Sequence, residues 1–426
     1  MYGRESASMK KKVFILNHYA GGTLFNKGGR HYWIAKFLKR AGYEPVLFVS
    51  NSKNGVKERH VQTDKLWTEM VADEIGTPYV FIKTKLYSNN GKERIINMVD
   101  YYRNVITSAK QYAKLHGAPD IIYASSVHPL ALTAGIKLAK YFGVRCICEV
   151  RDLWPESLVA YGHLKRGSAV AKALYRFEKN IYMKADRIVM TWPGGYDYIR
   201  DRGWDGDIPS EKVVHISNGV DLEEYKNNIE AHPYTDEALE DASVKKIIYT
   251  GSVREVNNLG LIVEAARILR DRGVEGFRIL VYGDGSEREK LAKDAEDAGL
   301  TNISFMGKVP KECVPAVLTH AYVTLLHNSS TELDKYGQSQ NKFFEYLAAG
   351  KPILMTYSVG HSVCRENNCG FEIEKQSPES IADAIEKIVG MSDAEYDSCS
   401  KNAEKTAEKY DFRNLTKVLI NVIESL

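Results

Sequence analysis

KKIIYTG at 245–251 and FRILVYG at 277–283 are short runs of apolar and β-branched residues, each stopped by a glycine and followed by a stretch with helical periodicity. A run of that length with no polar alternation reads as a strand buried on both faces, and such strands need helices above and below them. The scheme repeats in NISFMG (302–307), AYVTLLH (321–327) and KPILMT (351–356). The first half carries it too, in KVFILN (12–17), EPVLFVS (44–50), PDIIYAS (119–125) and RCICEV (145–150), with helices expected at about 29–41 and 129–141. Two Rossmann-like α/β halves follow. Between them VVHISNGVDLEEY (213–225) breaks at Asn218-Gly219, a turn dipeptide, which sets the expected domains at 9–215 and 216–409. The closing segment 410–426 reads as an amphipathic helix with Leu415, Val418, Leu419 and Val422 on one stripe.

A chain of 426 residues is too long for one ordinary core and fits two domains of roughly 200 residues each. Hydrophobic residues at 44% and charged ones at 27% describe a globular protein, and a net charge of +3 gives no reason to expect a nucleic acid partner. No apolar run reaches the ~20 residues of a membrane span, and the N-terminus lacks the order of a signal peptide, so a cytoplasmic protein is expected. The run 165–187 is basic and amphipathic, with Leu174, Tyr175 and Ile181 available for burial. It reads either as a core-packed helix or as a peripheral contact with the inner face of a membrane. Six cysteines without a CxxC pair or matching histidines exclude zinc and a disulfide framework, and no metal is expected. Residues 1–8, MYGRESAS, read as an extension outside the fold.

Parallel sheets bind ligands at the carboxyl ends of their strands, so the strand-to-helix loops are the places to search. In YTGSVREVNN (249–258), Gly251 lets backbone approach a ligand and Arg254 is placed either to grip a phosphate or to sit in solvent. In GDGSERE (283–289), Gly283 follows a strong strand and Ser286 stands near the start of a helix. Neither this loop nor GGTLFNKGG (21–29) has the third glycine of a dinucleotide fingerprint, which disfavours an NAD enzyme. Gly28 and Gly29 suit a loop that brings backbone close to a ligand. EVRDLWPES (149–157) ends a buried strand in Arg151, Asp152 and Glu156, either a structural ion pair or groups that orient sugar hydroxyls. SSVHP (125–129) sets His128 before a helix that starts with proline.

The stretch GQSQNKFFEYLAAGKP (337–352) reads as a short helix capped by Ser339, ended by Gly350 and packed through Phe343, Phe344 and Leu347. Asn341 and Lys342 fall in its first turn, where a cation is slightly disfavoured by the helix dipole, with Glu345 one turn on. Arg254, Lys342 and the helix N-terminus together make a cradle for a diphosphate, and Glu345 is placed to accept hydrogen bonds from ribose hydroxyls.

The series GGxxxxxGGRHYxxAKFL, EVRDLWPES, ISNGVD, YTGSVRE, GDGSE, FMGKVP and SQNKFFEYLAAGKP resembles the retaining GT-B glycosyltransferases of family 4, of the bacterial surface-polysaccharide type with a DLWPES segment. The resemblance runs over nearly the whole chain from Met9. It implies two Rossmann-like domains facing across a cleft, with the last helix crossing back to the first domain. A nucleotide diphosphate sugar, most simply UDP-linked, is implied in the second domain as substrate, with no cofactor or metal. A glycan or lipid-linked glycan precursor is implied in the first domain, with a hexosamine or deoxyhexosamine transferred. By motif, Arg254 and Lys342 stabilise the leaving diphosphate, and the backbone around Val309 and Pro310 meets the base. Arg151 and Asp152 join them as catalytic candidates, while Gly251, Gly283, Asn341, Glu345, Gly28 and Gly29 contact the donor, and His128 and Glu156 the acceptor. Gly337 stands where such enzymes carry the first of two glutamates eight apart, so the sugar contacts differ. A nucleotide-sugar-binding subunit without turnover and a UDP-sugar epimerase of the same fold are the competing functions.

Overall fold

The computed structural model describes residues 11–426 apart from positions 90 and 127, so the extension read at 1–8 lies outside the described residues. The chain forms two compact units, one running to Ser217 and including Leu415–Leu426, the other comprising Asn218–Asn414.

The first unit is built on eight strands: β1 (Lys12–Asn17), β2 (Glu44–Ser50), β3 (Trp67–Ala72), β4 (Thr77–Ile82), β5 (Ile121–Ser125), β6 (Arg145–Val150), β7 (Arg187–Met190) and β8 (Val213–His215). They lie in the order β3-β4-β2-β1-β5-β6-β7-β8. All pairings are parallel except β3 with β4. The inner strands are buried along almost their whole length, as the unbroken apolar runs require, whereas the edge strand β3 exposes Met70 and Val71. Helices Arg30–Arg40 and Pro129–Phe142 fall where periodicity put them; Pro129 opens the second, and Gly143 closes it in the left-handed region with φ 71°.

The second unit holds six parallel strands, β9 (Lys245–Thr250), β10 (Phe277–Tyr282), β11 (Ile303–Gly307), β12 (Val323–Leu326), β13 (Ile353–Met355) and β14 (Gly370–Glu372), in the order β11-β10-β9-β12-β13-β14. Apolar clusters cover both faces, one with Ile262, Leu269 and Ile385, the other with Phe343, Phe344 and Leu347.

The closing helix is Phe412–Glu424. Leu415, Leu419 and Val422 are buried together with Phe412 and Ile423, but Val418, read as part of the stripe, is 39% exposed. At 3.6 residues per turn Val418 lies beyond the edge of the face that Leu415, Leu419 and Val422 define. Its far end is tied to the first unit, where Lys11 Nζ lies 2.6 Å from Glu424 Oε2 and the Tyr43 hydroxyl donates to the same carboxylate. The basic segment forms helix Ala169–Lys184, capped by Ser168, which buries Tyr175, Glu178, Ile181 and Tyr182 but leaves Leu174 only half-buried. Among the described residues no helix is long and apolar enough to cross a membrane.

Candidate active site

In the second sheet the chain winds from β9 to β10 on one side and reaches β12 on the other, so the strand order reverses between β9 and β12. The carboxyl ends of those two strands are where an open α/β sheet leaves a crevice. Gly251 ends β9 and Gly283 ends β10, and a Cβ on Gly283 would stand 1.7 Å from the Gly251 carbonyl oxygen. A Cβ on Gly285 would come within 2.2 Å of Val253 O. The two loops interlock through Val253 N–H to Asp284 O (2.9 Å) and Glu287 N–H to Val253 O (3.1 Å), with Gly283 N–H reaching Gly307 O at 2.7 Å. Arg254 stands exposed just beyond. The helix after the second loop is Arg288–Asp297 with Glu287 at its cap position, so Ser286 does not cap it.

Lys342 reaches back from the helix Asn341–Ala348 to the same crevice. Its Nζ donates to the Tyr249 hydroxyl (3.2 Å) and to His327 O (3.1 Å) and lies 4.4 Å from the centre of the Tyr249 ring. No carboxylate is among these partners, and burial pushes the ammonium down to about 7. His327, which follows β12, is held by Thr356 Oγ1 (2.6 Å) and Asn258 O (2.9 Å) and is kept neutral by burial, down to about 4. Gln340, not Ser339, occupies the cap position, and no side chain caps the helix. Ser339 is drawn off by Asn218, whose N–H donates to Ser339 Oγ (2.8 Å) and whose Nδ2 donates to Ser339 O (2.6 Å). Gln340 is likewise committed, through Nε2 to the Tyr357 hydroxyl at 2.7 Å. The N-terminus bearing Asn341 and Lys342 is thus fixed in place without a side chain to satisfy it, which is the condition for holding an anion.

Glu345 is half-buried, and desolvation raises its carboxyl above the ordinary value against the opposing pull of Lys311. The Tyr225 hydroxyl, buried and without a hydrogen-bond partner, feels the same carboxyl. Val309 is buried and Pro310 leads into the turn Lys311–Cys313. Gly337 has φ 91° and ends the turn Glu332–Tyr336, a backbone that a glutamate would adopt only under strain.

The first sheet reverses its order between β1 and β5. His18 follows β1 and His128 follows β5, both buried, with His18 Nδ1 and His128 Nε2 2.6 Å apart. Arg151 and Asp152 follow β6; Asp152 is exposed, and Arg151 spends its carbonyl on Trp192 Nε1 (2.8 Å) while its Nε is buried without a partner. Glu156, read as an acceptor contact, is held by neighbouring side chains. It is 5% exposed, with Arg166 2.7 Å from Oε1 and the Tyr175 hydroxyl 2.5 Å from Oε2. The segment around 21–29 is not an open loop, since Gly21–Phe25 is a short helix and Gly28 N–H bonds back to Thr23 O at 3.2 Å. Gly29 has φ 111° and opens helix Arg30–Arg40.

One charged network escaped the sequence reading. Glu149, 0% exposed in β6, pairs with Arg30 (Nη2 to Oε1 2.6 Å) and His31 (Nε2 to Oε2 2.9 Å) and accepts from Ser125 Oγ at 2.6 Å and from the Tyr123 hydroxyl. Arg30 also donates to Ile216 O (2.9 Å) and Ser217 O. Despite full desolvation, Arg30 and His31 hold the Glu149 carboxyl well below its ordinary range. The signal was a glutamate inside the apolar run RCICEV, opposite an Arg-His pair.

Known proteins are similar to this chain in sequence and in fold. Residues 32–224 match the family described as Glycosyltransferase Family 4 and residues 244–390 the one described as Glycosyl transferases group 1. The chain is 22% identical over 392 residues to "Probable glycosyltransferase WbjE" of Pseudomonas aeruginosa, covering 88% of this chain and 89% of that one. It is 25% identical over 188 residues to WcaI of Escherichia coli, named for colanic acid biosynthesis, with 42% and 44% covered. Among solved structures, HepE of Anabaena with UDP and glucose superposes with a TM-score of 0.65 at 13% identity, over 98% of this chain and 100% of that one. The Escherichia coli protein described as trehalose-6-phosphate bound with UDP-2-fluoro glucose gives 0.71 at 11%, over 98% and 99%. The fold is GT-B. The chain is a glycosyltransferase, similar to family 4 over residues 32–224 and to group 1 over residues 244–390.

Proposed function

We propose that the second domain binds a nucleotide diphosphate sugar, UDP-linked, and that the enzyme transfers its hexosamine or deoxyhexosamine with retention to a glycan or lipid-linked precursor held by the first domain. The observation that carries this reading is Lys342, a half-buried cation with only neutral partners beside an uncapped helix N-terminus at the switch point of the second sheet. A diphosphate supplies the missing anion, and Arg254 reaches it from the neighbouring loop. As the leaving group departs its charge grows, and these groups stabilise it where it develops. Tyr225 and Glu345 are placed for the ribose, and the backbone at Val309 and Pro310 for the base. Two cations and a helix terminus do the work that a metal ion does elsewhere. The UDP held by HepE and the colanic acid in the name of WcaI support the donor and the polysaccharide setting. Synthesis at the cytoplasmic face of a membrane, touched through 165–187, completes the reading. Calorimetric titration with UDP and with uridine tests it: UDP should bind and uridine should bind far more weakly. Equal affinities would remove the diphosphate from the site.

A further inference from the structure

Helices Lys92–His116 and Pro129–Phe142 pack side by side in the first unit, and their outer faces carry charge of one sign. Around the first helix Lys92, Ile95, Ile96, Arg103, Lys110 and Lys114 fall within about 100° of arc at 3.6 residues per turn, opposite the buried Asn97, Tyr101 and Val105. Ile95 is 61% and Ile96 42% exposed, two neighbouring isoleucines left in solvent. The second helix adds Lys137, Lys140 and Tyr141, the last 55% exposed. Contacts across the two helices make one surface of them. Lys110 Nζ lies 3.7 Å from the centre of the Tyr141 ring, and Lys137 Nζ lies 5.1 Å from the centre of the Tyr102 ring and donates to its hydroxyl.

No acidic side chain faces outward with them. Pro129–Phe142 contains none. The two in Lys92–His116 lie to one side of the stripe and are engaged, Glu93 with Lys57 Nζ at 3.7 Å and Asp100 with the Lys85 N–H at 3.1 Å. Among the described residues Lys92, Arg103, Lys114 and Lys140 have no carboxylate partner. An ordinary solvated helix of this chain looks different: Arg288–Asp297 mixes both signs, with Arg288 3.0 Å from Asp284 and Lys290 3.7 Å from Glu287. Cations without carboxylates, set around exposed isoleucines and a tyrosine, fit a partner that is anionic at its surface and apolar just beneath. Two copies of this chain would meet there cation to cation, so self-association does not account for the face.

We propose that the outer face of Lys92–His116 and Pro129–Phe142 docks on an anionic phospholipid bilayer, with its lysines and Arg103 at the headgroups and Ile95 and Ile96 inserted below them. The inference rests on the reading that synthesis takes place at a membrane face. It moves the contact to other helices, because Tyr175 and Ile181, which 165–187 offered for burial, are buried in the protein itself.

Sedimentation of the full chain with lipid vesicles tests this. It should bind vesicles of phosphatidylglycerol and phosphatidylcholine, leave them in high salt, and ignore vesicles of phosphatidylcholine alone. Lys92→Glu with Arg103→Glu, and separately Ile95→Ser with Ile96→Ser, should each weaken binding at least about tenfold. Melting temperatures should stay close to the wild type, since all four side chains are exposed. Lys172→Glu with Arg176→Glu, in helix Ala169–Lys184, should weaken binding far less. A loss confined to that last variant overturns the proposal and leaves the membrane reading standing, whereas a wild-type chain that binds neither vesicle overturns both. Unchanged vesicle binding in the isoleucine variant, or tighter binding to duplex DNA that only the Lys92–Arg103 variant loses, makes the face a site for polyanions and overturns lipid as its partner.

Discussion

At the scale of single residues, Lys342 is the group on which most depends. Replacing Lys342 or Arg254 by alanine removes a charge-assisted hydrogen bond, worth about 1.5–3 kcal/mol, so UDP affinity should fall roughly ten- to a hundredfold in either variant. A wild-type Kd in both would move the diphosphate elsewhere. The pH dependence has a definite sign. With the ammonium at about 7 in the empty protein, Lys342 loses its charge as pH rises through 7, whereas a bound diphosphate favours the charged form. UDP affinity should therefore weaken above pH 7, by up to about tenfold per pH unit, and Lys342→Ala should abolish that slope. Gly283→Ala is harsher than its size suggests, because a Cβ 1.7 Å from Gly251 O must push the two loops apart. Circular dichroism melts should show lost stability along with lost UDP binding.

Among the elements, the buried strands were legible because a strand covered on both faces is an unbroken apolar run, and β1, β2, β6, β9 and β10 fall on such runs. Of those missed, β3 is an edge strand with a solvated face, β7 and β14 are four and three residues long, and β4 holds its apolar run behind Pro78, a residue that reads against a strand. Helix Lys92–His116 is long but polar, and it carries Asn97, whose burial depends on contacts with Ser52 and Thr84 far away in sequence. The glycine loops and the helix bearing Lys342 could be read locally, while the cap could not, because Ser339 is claimed by Asn218, 121 positions away. Helix Ala169–Lys184 offers a test of its buried face. Desolvation pushes the Glu178 carboxyl up to about 8, and Tyr182 (2.7 Å) and Tyr198 (2.8 Å) donate to it. A carboxyl raised above its unfolded value gives stability that is complete below the unfolded value and lost as pH rises to the folded one, so the Tm should fall from pH 4.5 to about 8. Glu178→Gln should flatten that fall; parallel profiles would refute the assignment. In the closing helix, Leu419→Ala should cost about 2–5 kcal/mol and Val418→Ala less than about 0.5 kcal/mol, as read by denaturant unfolding.

For the whole molecule, no group of three or more His, Cys, Asp or Glu side chains that could hold a metal ion occurs among the described residues. Glycosyl transfer is expected to proceed at full rate in excess chelator; a strict, restorable Mg²⁺ or Mn²⁺ requirement would count heavily against a site built on Lys342 and Arg254.

Leu415–Leu426 packs with the first unit although the whole of the second unit is made before it. During synthesis, the first unit leaves the ribosome with its last helical segment still untranslated. At about 5–20 residues per second, the roughly 200 residues in between keep it incomplete for about 10–40 s. A nascent chain in that interval presents the sort of surface that chaperones hold, so stalling in the second half of the message, more than in the first, is where this enzyme is exposed to aggregation.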